Sequence, residues 1–127
     1  MTGGVLLDTN VVSELRKARP HARVLDWYAR HRAADVYLST LVVGEIRHGV
    51  ELIRTRDTGR AEALERWLDG LVASYGDRIL PVSTDVAQVW GRLNAARKPP
   101  PVVDGLMAAT ALAHRLTLVT RNVTPTQ

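Results

Sequence analysis

The chain has 127 residues, 46% of them hydrophobic and 24% charged, which suits one domain with its own core and excludes a disordered or fibrous chain. It contains no cysteine, so disulfides, thiolate metal sites and cysteine nucleophiles are excluded together. Lysine and arginine outnumber aspartate and glutamate by 17 to 13, and a net charge of +4 favours an anionic partner, nucleic acid first. No apolar run reaches membrane-spanning length and the N-terminus has no basic-then-apolar leader, so a cytoplasmic protein with no membrane partner is expected.

Val5-Leu6-Leu7, between Gly3-Gly4 and Asp8-Thr9-Asn10, reads as a buried first strand followed by a turn. Val24, Trp27 and Tyr28 mark a helical face after Pro20. Val36-Tyr37-Leu38-Ser39 reads as a second strand. Leu41 to Ile53 follows it with helical periodicity. Leu64, Trp67, Leu68, Leu71, Val72 and Tyr75 form the clearest amphipathic stripe, ended by Gly76. Ile79-Leu80-Pro81-Val82 is a third strand whose proline points to a sheet edge or a strand end. Val86, Val89, Trp90 and Leu93 mark a helix capped by Ser83, Thr84 or Asp85. Asp104 to Ala113 is apolar nearly all round and should be a central helix, with Asp104 at its start. Leu116 to Thr120 is the fourth strand. Short apolar strands alternating with helices predict an α/β fold, with a mostly parallel sheet of four to five short strands covered on both faces.

Asp8, Glu45 and Asp104 stand apart from the other acids. Ligands of open α/β sheets bind outside the carboxyl ends of the strands. Asp8 follows the first strand, Glu45 lies early in the helix after the second, and Asp104 opens the apolar helix, so the three can meet on one rim. Clustered carboxylates repel unless a cation neutralises them, and their hard oxygens suit Mg²⁺ or Mn²⁺. An acidic pocket on a basic chain describes a metal-dependent phosphodiesterase. Singly, each acid also reads as an ordinary turn, cap or solvated residue. Glu45 tips the balance: it sits between Val42, Val43 and Ile46, close to the expected buried side of its helix, where an unpaired carboxylate is costly.

Leu6-Leu7-Asp8-Thr9-Asn10-Val11-Val12-Ser13-Glu14-Leu15 resembles the opening signature of PIN-domain nucleases, and in particular the VapC toxins of bacterial toxin–antitoxin pairs, including their FitB-like branch. Ser39 to Gly49, with Glu45, resembles the second signature. Asp104 to Ala111, followed by Leu116 to Asn122, resembles the third. The resemblance spans nearly the whole chain. It implies a PIN-like three-layer sandwich over residues 1–127 as a single domain, and Mg²⁺- or Mn²⁺-dependent cleavage of RNA leaving 5′-phosphate and 3′-hydroxyl ends. It implies neutralisation by a cognate antitoxin and a homodimer, to which the Trp67, Leu71 and Tyr75 stripe, with Trp27 or Trp90, would contribute.

By the same resemblance Asp8, Glu45 and Asp104 are the catalytic, metal-binding acids. Thr9 and Asn10 would hold the loop after the first strand, Thr120 would hydrogen-bond at the rim, and Arg121 and Asn122 would support the site, with Arg47 nearby. The chain departs from the family pattern after Thr120, where a fourth acid is usual and Asn122-Val123-Thr124-Pro125 stands instead. Two readings follow: a C-terminal segment shortened relative to the family, or a site completed by the Asn122 amide.

A haloacid-dehalogenase-like phosphatase would need a second aspartate where Asn10 stands. A receiver domain would need a further phosphorylated aspartate and a lysine that are not evident. No nucleophile elbow supports a serine triad. His21, His31, His48 and His114 have no ligand spacing and read as ordinary polar residues. The competing reading from another class is a PIN-like RNA-binding or antitoxin-binding module with little activity.

Overall fold

A computed structural model describes residues 3–17, 19–96 and 98–120. The first strand, β1 (Val5–Leu7), is buried along its whole length. Asp8 ends it by capping α1 (Thr9–Arg16): its side chain accepts from the Val11 N–H. Thr9 and Asn10, expected in a loop, are therefore the first turn of a helix. The cap offers the backbone a helical start directly after the strand, and Val11, Val12 and Leu15 give the helix its apolar face.

After α2 (Ala22–Ala29) the chain enters β2 (Val36–Ser39), and the Ser39 hydroxyl caps α3 (Thr40–Arg54). A short turn leads into α4 (Thr58–Tyr75), which pairs with α3 along its length. Gly76, at φ 50°, turns the chain out of α4 toward β3 (Ile79–Leu80), which Pro81 follows directly. Ser83 caps α5 (Thr84–Asn94), and α5 packs against α6 (Val102–Ala113) before β4 (Thr117–Val119). Arg115, at φ 56°, makes the exit from α6: Arg115 N–H donates to the Leu112 carbonyl and Leu116 N–H to that of Ala111. That is a Schellman ending with arginine where glycine is usual.

All strand pairs are parallel, in the order β3-β2-β1-β4. Pro81 thus follows an edge strand, as its sequence position suggests. The chain builds outward from β1 to β3, then crosses back to lay β4 on the free side of β1. Strand order reverses between β1 and β4, and an open sheet leaves a crevice at such a point. Among the described residues six α-helices flank the sheet. Leu6, Leu7, Val36, Leu38 and Val119 form its buried centre. Trp27 and Tyr75 join that core, and Trp67 and Leu71 pack half-buried against it. Most of the stripe expected at a dimer interface is thus used within the chain; its outer side lines a groove with Leu15, Leu25 and Tyr28. Among the described residues no helix is long and apolar enough to cross a membrane.

Candidate active site

The crevice at the β1–β4 reversal opens into a cavity of about 520 Å³ lined by Asp8, Thr9, Asn10, Glu45, Asp104 and Thr120, with Val103, Met107 and Leu118 as its apolar wall. Each acid arrives from a different element. Asp8 stands at the end of β1, where its N–H donates to the Val119 carbonyl and ties it to β4. Glu45 lies in the second turn of α3 and Asp104 in the first turn of α6. Thr120 directly follows β4. Arg121 and Asn122, expected to support the site, lie outside the described residues.

The carboxylates differ in setting. Asp8 is half-buried, and its Oδ1 accepts from the Val11 N–H at 2.9 Å. Burial pushes its carboxyl above the usual aspartate value, the Val11 and Asn10 backbone bonds pull it down, and the charges of Asp104 and Glu45 push it up again. Asp8 therefore feels the charge of both other acids across the cavity. Glu45 is exposed, contrary to the expectation that it lies on the buried side of its helix. The buried residues of α3 are Val42 and Val50, so Glu45 points into the open crevice and not the core. There it accepts a hydrogen bond from the Thr9 hydroxyl, which joins the first turn of α1 to the second turn of α3.

Arg47, expected near the site, is used elsewhere. It binds Glu65 at 2.6 Å and Glu51 at 3.2 Å, holding α3 to α4, and its guanidinium keeps Glu65 below the ordinary carboxylate range. Of the histidines, His21 caps α2 and the His31 ring lies against the Trp27 carbonyl.

One neighbour escaped the sequence reading. Gly105, beside Asp104, is buried, and a Cβ there would lie 3.2 Å from Trp90 Nε1 and 3.3 Å from Trp90 Cδ1. The Trp90 indole thus rests on the backbone of the turn that carries Asp104, and its buried N–H has no hydrogen-bond partner among the described residues. A glycine beside a helix-start aspartate was the signal available for that close approach.

Hard oxygen donors dominate the cavity: three carboxylates, two hydroxyls and the Asn10 amide. That set suits a divalent cation that prefers oxygen and keeps several of its waters. Among the described residues, no three acids or histidines form a closed ligand cluster. The arrangement is an open rim of carboxylates with room for water and a phosphate.

The PIN-domain family model matches residues 5–123. The chain is 36% identical to Toxin FitB of Neisseria gonorrhoeae, covering 93% of this chain and 87% of that protein. It is 34% identical to VapC ribonuclease Y4jK of Sinorhizobium fredii, covering 95% of this chain and 89% of that protein. The crystal structure of FitAcB from Neisseria gonorrhoeae superposes with a TM-score of 0.84 at 35% identity, covering 92% of this chain and 86% of that one.

Proposed function

The chain belongs to the PIN-domain family, and we propose that it is a toxin of a toxin–antitoxin pair, a divalent-metal-dependent endoribonuclease neutralised by a cognate protein antitoxin. The observation that carries this reading is the meeting of Asp8, Glu45 and Asp104 on one cavity at the carboxyl ends of β1 and β4. Relatives named toxin and ribonuclease support the activity and the partner. The family's likeness also supports a homodimer and the whole of residues 1–127 as one nuclease domain.

Asp8, Glu45 and Asp104 would hold Mg²⁺ or Mn²⁺. Bound there, the ion would supply charge neutralisation at the phosphate and a lowered pKa for water. The chain's own residues do the rest. Asp8, held by the Val11 N–H, lines the cavity from the end of β1. Thr9 donates to Glu45 and so limits the rotamers of an exposed side chain that would otherwise swing freely. Asp104 is set by a helix start. Thr120 and Asn10 offer neutral hydrogen bonds to the ribose or phosphate of a bound strand. A carboxylate of this set orients the attacking water in line with the leaving oxygen and takes its proton.

The test is incubation of the purified chain with single-stranded RNA in Mg²⁺, in Mn²⁺ and in EDTA, with analysis of the product ends. Metal-dependent cleavage giving 5′-phosphates is expected, and none in EDTA. One second reading, a binding module with little activity, rests on the sequence after Thr120, where Asn122 stands in place of the family's usual fourth acid. Tight RNA or antitoxin binding without cleavage in either metal would establish that reading and overturn the first.

A further inference from the structure

A second cavity, of about 430 Å³, lies beside β4 and is lined by Trp27, Arg30, His31, Arg32 and Asp35 together with Val5, Thr117 and Val119. Side chains alternate along a strand. Thr117 and Val119 therefore face this cavity while Leu118 and Thr120 face the acidic one. In the described sheet β4 is the end strand, so the two cavities lie on either side of one sheet edge.

The charges in this second cavity are unspent. Arg47 and Arg54 spend their donors on Glu51 and Glu65, and Arg78 on the carbonyls of Ala33, Val36 and Ser74, whereas other arginines, Arg60 and Arg66 on α4 among them, stand unpaired on the surface without lining either cavity. Among the described residues Arg30 and Arg32 make no side-chain hydrogen bond and no ion pair. They flank His31, whose ring is fixed. It lies 4.2 Å from the Trp27 ring, and its Nδ1 is 3.0 Å from the Trp27 carbonyl. A carbonyl only accepts, so Nδ1 carries the proton and Nε2 remains as the ring's other polar atom. Two guanidiniums against the single carboxylate of Asp35 leave the cavity positive.

We propose that the Arg30–His31–Arg32 cavity is a phosphate-binding subsite for the RNA strand, holding the chain beyond the sheet edge while the acidic cavity holds the scissile bond. The inference rests on the endoribonuclease reading and extends it to how the substrate is gripped. Guanidiniums bind phosphate oxygens in pairs and carry no base preference, so the subsite adds affinity and not sequence choice. A positive subsite also offsets the repulsion that an acidic crevice exerts on a polyanion.

The test compares the full chain with R30A/R32A and with a control pair on α4, R60A/R66A, that lines neither cavity and removes the same charge. Binding of a fluorescein-labelled single-stranded RNA dodecamer is followed by anisotropy in EDTA across potassium chloride concentrations. Each phosphate contact to a single strand contributes about 0.7 to the slope of log affinity against log salt, so R30A/R32A should lower it by about 1.4. The corresponding loss at 0.1 M salt is about 25-fold. In Mg²⁺ the same variant should raise KM for the dodecamer, leave kcat unchanged, and cleave a dinucleotide as the unaltered chain does. An unchanged slope overturns the proposal. So does an equal loss in R60A/R66A, which would reveal general charge attraction only. Failure of the unaltered chain to cleave RNA at all would sink the functional reading, while the salt slope would still decide the subsite.

Discussion

Replacing Asp8 by Asn separates what this residue does for the fold from what it does for the ion. Its structural task is to cap α1 by accepting from the Val11 N–H, and asparagine caps as well as aspartate to within a few tenths of a kcal/mol. The negative charge is different. Burial, together with Asp104 and Glu45, raises the Asp8 pKa above its ordinary 3.8. The native state thus holds the Asp8 proton more tightly than the unfolded chain. The resulting penalty is fully present above the raised pKa and is relieved as the pH falls through it toward 3.8. In EDTA at neutral pH, Asp8→Asn should therefore melt no lower than the unaltered chain. Its Tm should also rise less when the pH is lowered through that window.

With metal the order reverses. For 127 residues the unfolding entropy is about 270 cal/mol/K, so 1 kcal/mol moves Tm by about 4 °C. An ion at ten times its dissociation constant stabilises the native state by about 1.4 kcal/mol, or about 5 °C. One unit charge about 4 Å from a divalent ion is worth between ~2 kcal/mol in bulk water and ~8 kcal/mol at an effective dielectric of 20, before desolvation. Even the lower figure weakens binding about 30-fold and leaves an ion-induced shift below about 1 °C. Thermal melts of both proteins in EDTA and in Mn²⁺ read this directly. If Asp8→Asn shows the full metal shift, Asp8 is not a ligand. If it melts several degrees lower in EDTA, the raised pKa has been misassigned to its causes.

Four further substitutions probe the site and the fold that carries it. Thr9→Val removes the hydroxyl that donates to Glu45; RNA cleavage should fall by roughly 10-fold while Tm moves by less than about 2 °C, because Glu45 is already solvated. Gly105→Ala puts a Cβ 3.2 Å from the Trp90 indole, so kcat should drop through displacement of the Asp104 turn, with a shift in indole fluorescence and little change in KM. Gly4→Ala has no room: its Cβ would lie 2.8 Å from the Asp35 carbonyl, 2.8 Å from Tyr37 Cε1 and 2.9 Å from Leu116 Cδ2, and urea unfolding should show a loss of about 1–3 kcal/mol. Arg115→Gly relieves a left-handed backbone at the end of α6 and should gain about 0.5–1 kcal/mol in the same assay.

The strands were legible because each is a short apolar run with turn residues beside it, and because a covered parallel sheet needs no alternation to place them. The third strand was read two residues too long, since Pro81 has no N–H to extend the ladder. Helix α1 was missed for a related reason. Asp8-Thr9-Asn10 carries turn chemistry, but a capping aspartate is also turn chemistry, and only Val11, Val12 and Leu15 beyond it distinguish a helix from a loop.

The site shows the same division. Asp8, Glu45 and Asp104 were found because a strand end and two helix starts share one rim of an α/β sheet, and the structure puts all three on one cavity. Apolar neighbours in sequence do not put Glu45 on the buried side of its helix. Val42 and Val50 lie on the core side of α3, and Glu45 falls between that side and solvent. Arg47 illustrates the limit from the other direction. Its charge pointed toward a phosphate site, yet Glu51 and Glu65 compete for it at close range, and Glu65 comes from the next helix. Which of several arginines keeps its donors for a ligand depends on pairings across elements. Periodicity along the chain cannot report such pairings, nor that Arg30 and Arg32, unpaired among the described residues, share one cavity.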